Sequence, residues 1–328
     1  MAASLMLMVG VSTTLHAQPA GFQFLNLPGH AMLSALGGVN VSQADRNVNF
    51  FQSNPALAGD TLNGYGSASY MFYLGNTGLA NFSYQHHFKS VGTLSMGVQH
   101  LSLGQIQGYD VLGNTTAKFS SGETAIMIGK SHQIKYFRLG VNAKGVFSNI
   151  AGYRAQALLF DLGGTFIHPR HDLTVGLVIK NFGFMLSDYS ETSSTQLPFD
   201  VQVGTTFKPE HMPVRFSLTA YSLTKYKIPY YNSNSTEEKP DSFDKVMSHL
   251  NFGAEVLVHK NGSLLLGYNV LKHQELKLSR GGGVSGLSFG ILLKTKTLNL
   301  AASRSGFVTS GAYQVTLSVH LQKLIKSK

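Results

Sequence analysis

The chain has 328 residues, 35 glycines, no cysteine and no tryptophan, and only 13% of it is charged, about half the usual fraction of a soluble domain. Zero cysteine excludes a disulfide framework and zinc–thiolate sites. The net charge of +10 is scattered through turns and alternate positions, which argues against nucleic-acid binding and leaves attraction to anionic lipid head groups open.

Residues 1–17 contain no Lys, Arg, Asp or Glu and end in Leu15-His16-Ala17. This small-residue site predicts a signal peptide removed before Gln18, because Gln18-Pro19-Ala20-Gly21 would break a helix at once. No later stretch offers the ~18 uninterrupted apolar residues of a spanning helix. Residues 18–63 show no alternation. They run through Gly21-Phe22-Gln23-Phe24, Leu36-Gly37-Gly38 and Asn54-Pro55-Ala56-Leu57. A periplasmic tail is one reading. A compact hatch inside a barrel is favoured, since the segment is too apolar and too poor in charge to stay in water.

From residue 64 to 328 the dominant pattern has period two. Expected strands lie near 64–73, 78–88, 91–103, 122–132, 137–149, 155–167 and 173–182. Others follow near 198–208, 213–223, 247–258, 262–271, 283–294, 296–303 and 310–322. In Tyr313–Gln322 apolar and polar residues alternate without exception, and Phe137, Leu139 and Val141 alternate with Arg138, Gly140 and Asn142. Such strands have one apolar and one polar face. Several run to about ten residues, enough for a tilted strand to cross the hydrocarbon layer. The prolines avoid strand interiors. Short turns alternate with longer connections near 104–121, 183–197, 224–246 and 272–282. The expected fold is therefore all-β: a transmembrane antiparallel β-barrel of about fourteen strands in a Gram-negative outer membrane, with short periplasmic turns and longer outer loops.

The block from Phe22 to Gly59, with Leu36, Gly37, Gly38, Asn54 and Pro55 as hatch residues, resembles the opening of the PorQ family of type IX secretion systems. Its Gly-Gly and Asn-Pro-Ala elements are shared more loosely with the PorV and FadL families, whose fourteen-stranded barrels carry an N-terminal hatch. The resemblance implies a non-enzymatic barrel in a cell-surface attachment complex. It would hold a PorZ-like surface protein, with PorU- and PorV-like components, while cargo is joined to lipopolysaccharide. The alternative that it implies is a FadL-like transporter of hydrophobic solutes. The chain ends in Lys323-Leu324-Ile325-Lys326-Ser327-Lys328, without the terminal aromatic that many barrels carry.

No catalytic, cofactor or metal constellation stands out. His86 and His87 sit next to each other in a strand, so their rings face opposite sides. His168-Pro169-Arg170-His171-Asp172 reads as a solvated turn. Gly281-Gly282-Gly283-Val284-Ser285-Gly286 lacks the Lys-Ser/Thr of a phosphate loop. Arg138, Lys144, Lys180, Lys208 and Arg215 are expected in the lumen with Asp200 and Glu255, pairing with each other and with the hatch. Tyr226, Ile228, Pro229, Tyr230 and Tyr231, on the longest outer loop, suit a partner contact or an aromatic girdle.

Overall fold

In a computed structural model the described residues are 21–73, 75–224, 242–275, 284–306 and 311–326. The expected strands all form: β1 (Tyr65–Phe72), β2 (Gly78–Phe88), β3 (Gly92–Tyr109), β4 (Thr115–Ile134) and β5 (Phe137–Ile150). They continue with β6 (Tyr153–Ile167), β7 (Asp172–Ser187), β8 (Asp200–Lys208), β9 (Val214–Ala220) and β10 (Leu250–His259). The last are β11 (Gly262–Asn269), β12 (Leu287–Lys294), β13 (Leu298–Gly306) and β14 (Gly311–His320). Each pairs antiparallel with its sequence neighbours, and β1 closes on β14 from Tyr65↔His320 to Phe72↔Tyr313. Closure gives every strand a partner on both sides within the ring, which is what a hydrocarbon surrounding demands.

Side-chain direction follows the alternation. Ile126, Ile128, Leu139, Leu177, Leu266 and Ile291 stand exposed on the outer wall, while Asn142, Lys144, Glu255, Thr316 and Ser318 are buried inside. The apolar band is the lipid surface, and the polar faces line the lumen. Both described ends of the barrel and the turns after β2, β4, β6, β8, β10 and β12 share one rim, the periplasmic one. At the outer rim sit two short helices, α2 (Ser242–Ser248) and α3 (Val270–Glu275).

Two features depart from the pattern read in the sequence. The expected connection at 104–121 is mostly strand. Pairing of β3 with β2 ends at Gly78↔Ser102, and pairing of β4 with β5 ends at Gly122↔Asn149, yet β3 and β4 stay paired to Tyr109↔Thr115. The result is a free-standing ribbon above the wall. The C-terminal end, moreover, closes in a short helix, α4 (Leu321–Lys326), after β14.

Residues 21–64 fill the lumen as short turns. The one α-helix among them, α1 (Ala31–Ala35), follows His30, whose Nδ1 accepts the Leu33 N–H. It ends at Gly37 and Gly38, both at φ +93°, where the Gly38 N–H bonds the Leu33 carbonyl at 2.9 Å. Glycine is suited to that left-handed exit. Asn54 begins a 3₁₀ turn at Pro55–Leu57: its Oδ1 accepts the Ala56 N–H at 2.9 Å, and Pro55 supplies a helical φ at no cost in donors. The Gly-Gly and Asn-Pro-Ala elements thus each have a local backbone reason.

Candidate functional site

The wall is moulded to the hatch. A Cβ on Gly140 would strike the backbone of Pro55 and Ala56, one on Gly176 the Val41 carbonyl, and one on Gly267 the backbone of Leu36 and Gly37. Glycine at these inward positions lets two backbones approach. Polar wall residues satisfy the hatch's peptide groups, as buried groups require. Asn251 Nδ2 donates to the carbonyls of Leu36 (2.8 Å) and Val39 (2.7 Å), Asn142 Nδ2 to Phe51 (2.9 Å), and Gln85 Nε2 to Gly59 (2.6 Å). Thr316 Oγ1 accepts the Ala31 N–H at 2.8 Å, and Ser42 meets Thr206 at 2.7 Å. Among the described residues, every strand except β9 and β12 hydrogen-bonds the hatch.

Charges fasten its periplasmic end. Arg138 forks onto Asp45 at 3.1 and 3.0 Å. The next residue, Arg46, reaches Asp172 at 3.5 Å, and Asp172 also takes Arg215 at 2.8 Å, which in turn bonds Glu255 at 2.5 Å. The hatch runs down the lumen from the Gly21 N–H, bonded to the Gln196 carbonyl in the outer β7–β8 loop at 3.1 Å, to Gly64, bonded to the Gln85 carbonyl near the periplasmic rim at 2.9 Å.

Above the hatch lies a cavity of about 440 Å³, lined by hatch residues, by the inner faces of β4, β5, β7 and β8, and by α3. Its wall is shaped by a bulge in β7 at Asn181 (φ +57°), where the register with β6 shifts around Asp161. Asp161 accepts the Asn181 N–H at 2.9 Å, the Asn142 amide at 3.1 Å and the Lys144 ammonium at 2.7 Å. Lys144 also donates to Asn181 Oδ1 at 2.8 Å. Asn181 Nδ2 then holds the Pro198 carbonyl at 2.9 Å, fixing the start of β8. One buried carboxylate thereby satisfies the backbone donor that the bulge releases and organises its neighbours.

Below that network Lys180 and Asp200 face each other as the last rung of β7–β8 pairing, and both line the cavity. Asp200 takes the Gln202 amide at 2.6 Å, while its Oδ1 is buried without a partner. On the hatch side, burial drives His30 down to about 3, so its ring is neutral. Since Nδ1 accepts from Leu33, Nε2 carries the proton; that atom is also buried without a partner, as is Asn40 Nδ2. From α3, Lys272 comes down toward the Gly37 carbonyl (3.5 Å); burial lowers its pKa, with Glu275 opposing.

No family model and no curated protein matches the chain. Solved structures do. Against the CymD monoaromatic hydrocarbon channel the TM-score is 0.52 at 12% identity, over 90% of this chain and 97% of that one. Against the TodX deltaS2S3 mutant monoaromatic hydrocarbon channel it is 0.48 at 14%, over 88% and 97%, and against the KdgM porin 0.35 at 7%, over 78% and 98%. The likeness to the CymD channel is one of fold. With a closed fourteen-strand wall and a lipid-facing belt, it makes the chain an outer-membrane β-barrel of a Gram-negative cell.

The residues singled out in the sequence fall as follows. Leu36, Gly37, Gly38, Asn54 and Pro55 all lie in the hatch, against the wall. Tyr226, Ile228, Pro229, Tyr230 and Tyr231 lie outside the described residues, as does the first half of the Gly281–Gly286 run. Of the lumenal cations, Arg138, Lys144 and Arg215 are paired, with Asp45, Asp161, Asp172 and Glu255. The expected mutual pairing fails for Lys180, which has no ion pair among the described residues. Lys208 sits at the periplasmic rim on its own Pro209 carbonyl (3.5 Å). Asp45 and Asp161 carry no local mark in the sequence, and Asp172, read there as part of a solvated turn, instead bonds Arg46 and Arg215. His86 and His87 do diverge: His86 meets Gln322 (3.4 Å), and His87 meets Asp60 (2.9 Å), which also accepts the Thr93 hydroxyl. His168 Nδ1 accepts the Arg170 and His171 N–H groups at 3.2 and 3.0 Å, an ordinary turn. Among the described residues no group of three or more His, Asp or Glu is placed to hold a metal ion.

Proposed function

We propose that this barrel is a non-enzymatic scaffold of a type IX secretion and cell-surface attachment complex, tethering a PorZ-like surface protein while cargo is joined to lipopolysaccharide. The observation that carries the reading is the fixed hatch. A segment bonded to twelve strands in glycine sockets makes the lumen a stiffener, and the outer surface becomes the working part. On that surface the β3–β4 ribbon projects beyond its neighbours and presents Tyr109, Val111 and Leu112, the last two 103% and 83% exposed. Asp110 preorganises its tip by accepting the N–H groups of Leu112 (2.9 Å) and Asn114 (2.8 Å). A rigid apolar tip above a membrane suits a protein contact. The resemblance of residues 22–59 to the PorQ family supports the same reading. PorU- and PorV-like components and lipopolysaccharide are the further contacts that it implies.

A second reading, transport of a small solute, is favoured by the cavity above the hatch. Its many polar lining residues fit a hydrophobic solute less well.

Affinity isolation of the tagged barrel from solubilised outer membranes, with mass spectrometry of what co-purifies, separates the two. A surface partner recovered by the full barrel, and lost when residues 105–119 are replaced by a Gly-Ser turn or when 226–241 are deleted, supports the tether. A barrel isolated alone with small molecules in its lumen removes the tether and leaves transport.

A further inference from the structure

The cavity above the hatch has a chemistry that neither reading uses. Lys180 and Asp200 occupy one rung of the β7–β8 ladder and face the same space, yet they form no ion pair with each other. The Asn181 bulge sits directly after Lys180, and Asp200 is turned onto Gln202. An ammonium and a carboxylate are thereby held side by side, each with capacity left. His30 and Asn40 of the hatch also line the cavity, and their Nε2 and Nδ2 atoms are enclosed without a partner. Asn40 cannot turn away, because its Oδ1 is held by the N–H groups of Ser42 and Gln43, both at 3.0 Å.

A hydrocarbon in this cavity would leave Lys180 and Asp200 unpaired in a drier space, a heavy desolvation penalty. A simple anion would satisfy Lys180 while lying against Asp200, and a simple cation would meet the reverse problem. A ligand carrying both charges answers the pair at once. The geometry points to a zwitterionic solute, a free amino acid or a short peptide, whose carboxylate meets Lys180 and whose ammonium meets the Asp200 carboxylate. The size, about 440 Å³, lies in the range of small-ligand pockets. The inference rests on neither proposed function, since a tether and a transporter can each carry such a site.

The test is equilibrium binding of alanyl-alanine to the full purified barrel in detergent, by titration calorimetry. It is compared with the N-acetylated, the C-amidated and the doubly blocked dipeptide, and with toluene. Alanyl-alanine should bind best, and each single block should weaken binding roughly tenfold or more. In Lys180→Met the C-amidated and free forms should become equivalent. In Asp200→Asn the N-acetylated and free forms should. Heat-modifiable gel mobility and circular dichroism verify that each variant is folded, and Lys208→Met serves as a lysine control away from the cavity. The site is overturned if blocked and free dipeptides bind alike, if the acetylated anion binds best, if toluene displaces the dipeptide, or if folded wild-type barrel binds none of them.

Discussion

Arg138 on β5 holds Asp45 of the hatch with both arms of its guanidinium, and Gln133 accepts from the same group at 2.8 and 3.2 Å, so the fork is fixed before the hatch meets it. This is the geometry in which arginine outperforms lysine. Arg138→Lys should therefore lose most of what Arg138→Met loses. A loss of about 1.5–3 kcal/mol follows for Arg138→Met, the scale of hydrogen bonds to charged groups. Urea unfolding in detergent, followed by gel mobility, would measure it; a lysine variant as stable as wild type would contradict the fork's importance.

The buried Lys144–Asp161 pair, at 2.7 Å with both side chains almost wholly enclosed, gives a sharper case. Asp161→Asn leaves an uncompensated ammonium and should cost about 3–5 kcal/mol. Adding Lys144→Met should recover part of that loss. The double-mutant cycle yields the coupling, and additivity would mean that the pair contributes nothing.

Glycine sockets predict a contrast between neighbours in one strand. Gly140→Val forces a side chain into the Pro55–Ala56 backbone and should cost about 1–3 kcal/mol by overpacking. Gly145→Val makes only ordinary contact with the Phe147 ring (3.5 Å) and should be tolerated. Tryptic cleavage at Arg46 in isolated membranes would report a displaced hatch in the first variant only.

His30 predicts a pH dependence. Its folded pKa of about 3 lies below the ordinary 6.5 because burial penalises the cation. The unfolded chain therefore binds the extra proton between those values, and stability rises with pH across that window. This contribution is complete above about pH 6.5 and is lost as pH falls toward 3, by about 1.4 kcal/mol per unit. His30→Asn keeps the cap and removes the titration. The difference in denaturant stability between wild type and variant should shrink steadily as pH falls from 7 to 4.

The strands were legible because the bilayer and the filled lumen impose opposite demands on alternate residues along the whole wall, as Phe137–Lys144 illustrates. That demand ends at the lipid boundary. Gln105, Gln107 and Lys118 in the β3–β4 ribbon face water, carry no period, and read as loop. Arg138, Lys144, Lys180 and Arg215 were legible as lumenal, yet their partners were not: Asp161 meets Lys144 through a cross-strand register, and Asp45 meets Arg138 across 93 positions. Lys180 and Asp200 were both visible as lumenal. That they share a rung without pairing depends on the bulge at Asn181, which no local residue pattern announces.

The hatch enters at the outer rim, where Gly21 binds Gln196, and leaves at the periplasmic rim, where Gly64 binds Gln85. It is threaded through the ring from one rim to the other. The seam that shuts it joins the first strand to the last, Tyr65 to His320. The wall is thus moulded to its own N-terminal segment, which acts as a mandrel for the curvature of the closed sheet. The least local contact of the wall, between residues some 250 positions apart, is then the one that encloses the mandrel.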